Sequence, residues 1–129
     1  MSKVTLARPQ SIAEVAREAT DSGDFATRVA EFLDEFYASP SRARITEEPP
    51  KVSGDVEESD VMDVYLAAIA EYLADRNNFS CPEWAENRSL RHPHFAHPSE
   101  HLRALLLVES PPAFRKRNLF VSENAMSRA

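Results

Sequence analysis

Between Asp60 and Asp75, Val61, Met62, Tyr65, Leu66, Ala68, Ile69, Tyr72 and Leu73 recur at steps of three and four residues. On a helical wheel these positions cover well over half of the circumference, so a helix here must be contacted from several sides rather than along one stripe. Both ends are marked. Asp60 is placed to cap the first turn, Asp63 adds negative charge near the positive end, and Arg76 follows the last turn, where a cation is favoured. The spacing therefore predicts a central helix around which the other segments pack.

Two glycines against nine prolines leave little material for hairpin turns that need positive φ. This disfavours a β-rich protein and points to an all-α fold, a compact bundle of about four main helices joined by proline-bounded loops. At 129 residues the chain is expected to form one helical domain able to bury a core without disulfides or metals. Cys81 is the only cysteine, so no intrachain disulfide can form. No apolar run approaches the roughly 18 residues of a membrane span. The N-terminal MSKVTLARPQ lacks a signal-peptide core, so a cytoplasmic location is expected. Asn78-Phe79-Ser80 and Asn87-Arg88-Ser89 match the glycosylation triplet, which carries no weight without secretion.

Residues 1–10 read as a loose lead-in ending at Pro9. Ser11 and Glu14 have the spacing of a capping box, and Ile12, Val15, Ala16 and Ala19 give a first helix near 12–20. Asp24 offers a second cap. Phe25, Val29, Phe32, Leu33, Phe36 and Tyr37 then form the cleanest amphipathic pattern, predicting a helix over 25–38 whose aromatic stripe is core. Residues 39–59 lose periodicity around Pro40, Pro49 and Pro50. They read as a solvated connector pinned at Ile45, Val52 and Val56. Pro82 suits the first position of a short turn that carries Trp84 over the core. Ser99 caps a fourth helix, with Leu102, Leu105, Leu106 and Val108 facing inward and Leu107 at the boundary, ended by Pro111 and Pro112.

No P-loop, dinucleotide fingerprint, nucleophile elbow or Cys-x-x-Cys pair is present. Cys81 has no basic neighbour in sequence to favour its thiolate. His92, His94, His97 and His101 all lie in LRHPHFAHPSEH, where Glu100 or Cys81 could complete a metal set. The spacing fits poorly, because Pro93 and Pro98 enforce extended backbone and Pro98 stands where a zinc protease has glutamate. A proline-rich surface loop is the favoured reading, with a metal-dependent hydrolase as the enzyme alternative. No cofactor, metal ligand or catalytic residue is assigned.

Charge is unevenly distributed. Residues 115–129 hold Arg115, Lys116, Arg117 and Arg128 against Glu123, a net +3, so the first 114 residues carry −9 of the formal −6. An acidic body repels phosphate backbones, which disfavours nucleic acid as a partner. Residues 113–129 form a distinct tail, in which Leu119, Phe120 and Val121 make a β-prone run after the basic cluster. This tail can dock on its own domain, the reading the residues alone favour because apolar termini often pack on the parent core, or it can lend an extended edge and an aromatic anchor to another protein.

The run from Leu102 to Arg128, above all LLLVESPPAFRKRNLFVSENAMSRA, resembles the C-terminal signature of a group of small bacterial proteins, of the form FRxRNLFVSxNxxSRA. Elsewhere the likeness is confined to the helix-loop-helix pattern. Such proteins are often encoded beside nucleotidyltransferase-like proteins, an arrangement resembling toxin and antitoxin pairs. The resemblance implies a bacterial source and a non-catalytic, antitoxin-like or accessory binding role. The tail contact is then expected to use Arg115, Arg117, Asn118, Phe120, Asn124 and Arg128, with the end segment free to reach another bacterial protein. A homo-oligomer is also compatible, and a stand-alone structural domain with a self-docked tail is the third reading.

Overall fold

The computed structural model describes residues 8–52, 58–97 and 99–128. In chain order its elements are α1 (Ile12–Glu18), α2 (Ser22–Ala38), α3 (Ala43–Thr46), α4 (Ser59–Arg76), α5 (Glu83–Glu86), β1 (His94–Phe95), a 3-10 turn (Glu100–Leu102), α6 (Arg103–Glu109), α7 (Pro112–Arg115) and β2 (Leu119–Phe120). The described residues are mostly helical, at 55% helix and 4% strand, and four of the helices among them reach seven residues or more. The addition to the helical expectation is a two-stranded parallel sheet, pairing His94 with Leu119 and Phe95 with Phe120.

Helix α4 is the centre. Ten of its eighteen residues are buried, and α1, α5, α7 and β2 all pack on it. Ala67, Ala68, Ala70 and Ala74 lie among the buried positions, where short side chains let neighbouring backbones approach while Leu66, Ile69 and Leu73 fill the volume between. Phe32, Leu33 and Phe36 of α2 meet this layer, as do Ile12 and Val15 of α1. Tyr65 joins two sides of the core, standing edge-on to Phe25 at 6.1 Å and to Phe114 at 5.3 Å.

The caps differ from expectation in informative ways. Ser11 accepts the Glu14 N–H at 3.3 Å, while the Glu14 carboxylate takes the amide of Gln10 rather than of Ser11. Asp21, not Asp24, caps α2, accepting the Asp24 N–H at 2.8 Å. Asp24 lies in the first turn and takes the Thr20 amide. Helix α4 starts one residue before Asp60, after Glu58 in the left-handed region at φ 61°, so Asp60 supplies first-turn charge instead of the cap. Pro82 precedes α5 as its cap rather than occupying its first position. Ser99 precedes the 3-10 turn without a side-chain cap bond.

Two loose segments turn out to be tied down. Pro9 is buried, Arg8 pairs with Glu35 at 3.4 Å, and Arg44 bonds the Gln10 carbonyl at 3.0 Å; residues 1–7 lie outside the described residues. In the 39–59 connector, α3 buries Ile45 completely, and Pro49 and Val52 are also buried. Trp84 covers this side of the core as expected and donates its Nε1–H to the Ile45 carbonyl at 3.1 Å. Arg88, 6% exposed, bonds the carbonyls of Pro49 and Asp63 and stacks over Trp84 at 5.0 Å. The pin expected at Val56 lies outside the described residues.

Candidate functional site

The end segment is not a free extension, which corrects the expectation that it projects toward a partner. Leu119, Val121 and Met126 are within 2% of full burial. Ser110 ties them to α6: its hydroxyl accepts the Val121 N–H at 2.8 Å and lies within hydrogen-bonding distance of the Leu106 and Val121 carbonyls. Farther on, Tyr37 donates to the Met126 carbonyl at 2.6 Å.

Three of the six tail residues expected at a partner contact are used inside the chain. Arg117 is 2% exposed and reaches the Glu71 carboxylate and the carbonyls of Ala113 and Ala85, each at 2.7 Å. Asn118, at φ 64°, makes the left-handed turn into β2 while its amide donates to Leu90 O at 2.8 Å. Phe120 is 6% exposed and stacks on Phe95 at 5.0 Å. The other three reach the surface. Arg115 and Asn124 are exposed, and Arg128 makes a two-pronged contact with Asp34.

Electrostatics around the tail follow from this docking. Burial acts to raise the Glu71 carboxyl, but the bonds and charges of Arg117 and Lys116 together outweigh it and hold the group below the ordinary carboxylate range. Cys81 is half-buried, and burial, reinforced by the Glu71 charge, pushes its thiol up. That direction is opposite to the activation a nucleophilic thiolate needs. Asp63 is also raised, chiefly by burial, although it accepts the Val52 N–H at 2.7 Å and lies near Arg88.

The histidines do not converge. His92, His97 and His101 are exposed, whereas His94 is half-buried in β1, its amide donating to Asn118 O at 2.8 Å. The His97 imidazole accepts the Ser99 N–H at 3.1 Å. Among the described residues, no three His, Cys, Asp or Glu side chains gather where they could hold a metal ion. Pro98, expected to enforce extended backbone in this loop, lies outside the described residues.

Two apolar features stand out among the described residues. Of the inward face expected for the helix after Ser99, Leu106 in α6 is buried and Leu102 half-buried, whereas Leu105 and Val108 are 51% and 75% exposed; Leu107, expected at the boundary, is 46% exposed, and Ala104 is exposed beside them. The seven-residue helix is anchored through Leu106 and Ser110, which turns its remaining apolar side chains outward. This corrects the inward assignment of Leu105 and Val108. Sequence periodicity cannot choose among three consecutive leucines, because adjacent positions point about 100° apart. The second feature is a groove of about 450 Å³ between α2, α4 and the small sheet, walled by Phe25, Val29, Leu33, Met62, Tyr65 and Leu119. Glu58, His94 and Arg128 stand on its lining with small Ala26 and Ala30 of α2.

Among the described residues no helix is long and apolar enough to cross a membrane. No family model, curated protein or solved structure matches the chain.

Proposed function

We propose that the protein is a non-catalytic interaction module of the bacterial cytoplasm, an antitoxin-like or accessory partner of a nucleotidyltransferase-like protein. The observation that carries the binding role is the outward side of α6. Leu105, Leu107 and Val108 all face solvent, half to three-quarters exposed, on a helix of seven residues. Scattered exposed apolar residues need no explanation, but three within four consecutive positions on one short element form a patch of the kind that protein partners cover. The nucleotidyltransferase-like identity of that partner rests on the resemblance of the 105–129 stretch.

The non-catalytic reading draws support from what the titratable groups with shifted pKa values bond to. Glu71 is held by Arg117 and Lys116, Asp63 by the Val52 amide, and Tyr37 by the Met126 carbonyl. Each is a structural tie, and the one thiol is shifted away from reactivity.

In place of the tail contact through Arg117, Asn118 and Phe120, the proposed surface joins the α6 patch with the exposed Arg115 and Asn124 as polar contributors. Capture of a nucleotidyltransferase-like bacterial protein by the purified chain tests the reading. The intact chain should retain it. Val108→Glu and Leu105→Glu should release it while circular dichroism stays unchanged. Equal capture by the intact chain and both variants would remove α6 from the contact, and no capture by the intact chain would remove the partner.

A further inference from the structure

The outward side of α6 is headed by a cation that the small sheet holds in place. We infer that the partner segment seated on α6 is an acidic, apolar helix, with a carboxylate that Arg103 binds beside the leucines. This rests on the reading of α6 as a protein-binding surface and names what the partner must present there.

Helical geometry lays out the surface. Successive residues turn by about 100°, so Arg103, Leu107, Ala104, Val108 and Leu105 follow one another round about 200° of α6, with Leu106 opposite. These five are exposed and Leu106 is buried. Arg103 therefore flanks Leu107 at one edge of an apolar arc. The other edge ends at Glu109, where a carboxylate oxygen already takes the Glu123 amide at 3.1 Å. A convex ridge of this kind packs into the grooves of another helix.

Arg103 is preset for a carboxylate. Among the described residues its guanidinium makes no hydrogen bond or ion pair, and it lies over Phe95, 5.2 Å from the ring centroid. That ring is stacked in turn on buried Phe120 at 5.0 Å, a pairing set by the register of β1 and β2. A stacked guanidinium keeps its N–H groups open at the edge for a bidentate contact, and it has less rotamer freedom left to lose.

Charge selects the same partner. Residues 91–129 hold six basic and three acidic residues, a net +3, against −9 for residues 1–90. Lys116 and Arg117 are taken by Glu71 and Arg128 by Asp34, which leaves Arg91, Arg103 and Arg115 exposed with no ion pair among the described residues. An acidic segment matches this part of the chain. The apolar arc beside the cation favours a protein over a nucleic acid, whose backbone the acidic remainder repels.

Three labelled helical peptides of about 18 residues test the inference, a length at which an Ala-rich helix forms alone. Each carries leucines at i, i+3, i+4 and i+7, and the flanking position is Glu, Gln or Lys. Fluorescence anisotropy follows binding as the purified full chain is raised to about 500 µM, a range suited to weak association. The Glu peptide should bind about tenfold tighter than the Gln peptide, the value of a charge-assisted hydrogen bond, and the Lys peptide weakest. Arg103→Gln should make Glu and Gln equal. Phe95→Leu should reduce the Glu preference and Phe95→Tyr should keep it, whereas full preference in Phe95→Leu overturns the role given to the stack. The double variant Leu107→Gln, Val108→Gln should weaken all three peptides, with circular dichroism unchanged at these exposed positions. Equal binding of Glu and Gln by the intact chain, lost in the double variant, overturns the inference and leaves α6 as the binding surface. Unaltered binding by the double variant removes α6 itself. Failure of every peptide to bind the intact chain overturns the acidic helix, and capture of the nucleotidyltransferase-like protein then decides the role of α6 separately. Displacement of the Glu peptide by duplex DNA would assign the cation to nucleic acid and overturn the inference as well.

Discussion

Arg117 donates to the Glu71 carboxylate at 2.7 Å, joining the C-terminal segment to the central helix across 46 positions of sequence. The guanidinium is 3% exposed and the carboxylate 15%. Two backbone carbonyls, of Ala113 and Ala85, take further N–H groups of the same side chain. One arginine therefore fastens α7, α5 and α4 together. Its charge can be buried because both a counter-charge and carbonyl acceptors meet it there.

Removing the counter-charge should expose that dependence. In Glu71→Ala the Arg117 cation stays buried with carbonyls alone, and breaking a buried pair in this one-sided way typically costs about 3 kcal/mol or more. Urea unfolding should show a lower midpoint with the slope preserved. A loss under about 0.5 kcal/mol, the range of ordinary surface substitutions, would mean that the pair contributes nothing net.

The two shifted carboxyls should bend stability against pH in opposite directions. Glu71 is depressed below its ordinary value of 4.5, so its contribution is present above that value and is lost as pH falls through the folded one. Asp63 is raised above 3.8, with burial the largest cause. Its folded form holds the proton more tightly, a contribution complete below 3.8 and lost as pH rises through the folded value. Relative to the parent chain, Glu71→Gln should therefore become less stable between pH 3 and pH 7, and Asp63→Asn more stable. Parallel pH slopes for the two variants in thermal unfolding would contradict this assignment.

Helices α2 and α4 were legible because their signals are local. Phe25 to Tyr37 repeat at helical spacing, and the apolar positions of 60–75 encircle the wheel, as ten buried residues on α4 require. The small sheet was not, since a two-residue strand has no periodicity to read. His94 and Phe95 are extended beside prolines, but their pairing with Leu119 and Phe120 is a tertiary fact. The tail was half legible. Its β-prone run does form β2, whereas its docking depends on Glu71, Asp34 and Tyr37, acceptors and donors that lie 46, 94 and 89 positions away from their partners. Cap positions slipped by one to three residues because several acids near each helix start can satisfy an amide or the dipole, and only the backbone geometry decides which does. The α6 patch was misread for a related reason: what buries Leu106 rather than Leu105 is the Ser110 anchor, not the leucine pattern.

Tyr37 makes a second, weaker fastening of the tail. Its hydroxyl donates to the Met126 carbonyl at 2.6 Å, and burial first, then the neighbouring Tyr72, pushes its ionisation up to about 12. Tyr37→Phe keeps the ring and deletes the donor, and a single hydrogen bond of this kind is worth about 1 kcal/mol. Chemical denaturation should show that loss. An absorbance titration should show the latest-ionising tyrosine missing from the variant. A titration curve superimposable on that of the parent would place the high value on another tyrosine.

Ser110→Ala tests the joint between α6 and the tail, and here the direction of the hydrogen bonds sets the size of the effect. In the parent chain the hydroxyl oxygen accepts the Val121 N–H at 2.8 Å, and its proton serves the Leu106 or the Val121 carbonyl at 2.7 or 2.9 Å. Ser110 is 2% exposed and Val121 1%, so water has no ready access to the amide once the oxygen is gone. A buried donor left without an acceptor costs about 1 to 3 kcal/mol, more than the mean value of the bond that was lost. Threonine at the same position keeps the hydroxyl while adding a methyl group to a packed site, so Ser110→Thr should recover part of the loss if hydrogen bonding is the cause. Amide hydrogen exchange gives the local readout. Val121 should exchange faster in Ser110→Ala, by a factor of about ten for each 1.4 kcal/mol of lost protection, while amides in the middle of α4 slow or quicken only with global stability. Unchanged exchange at Val121, with stability equal to the parent, would show that α6 is held to the tail by Leu106 packing alone.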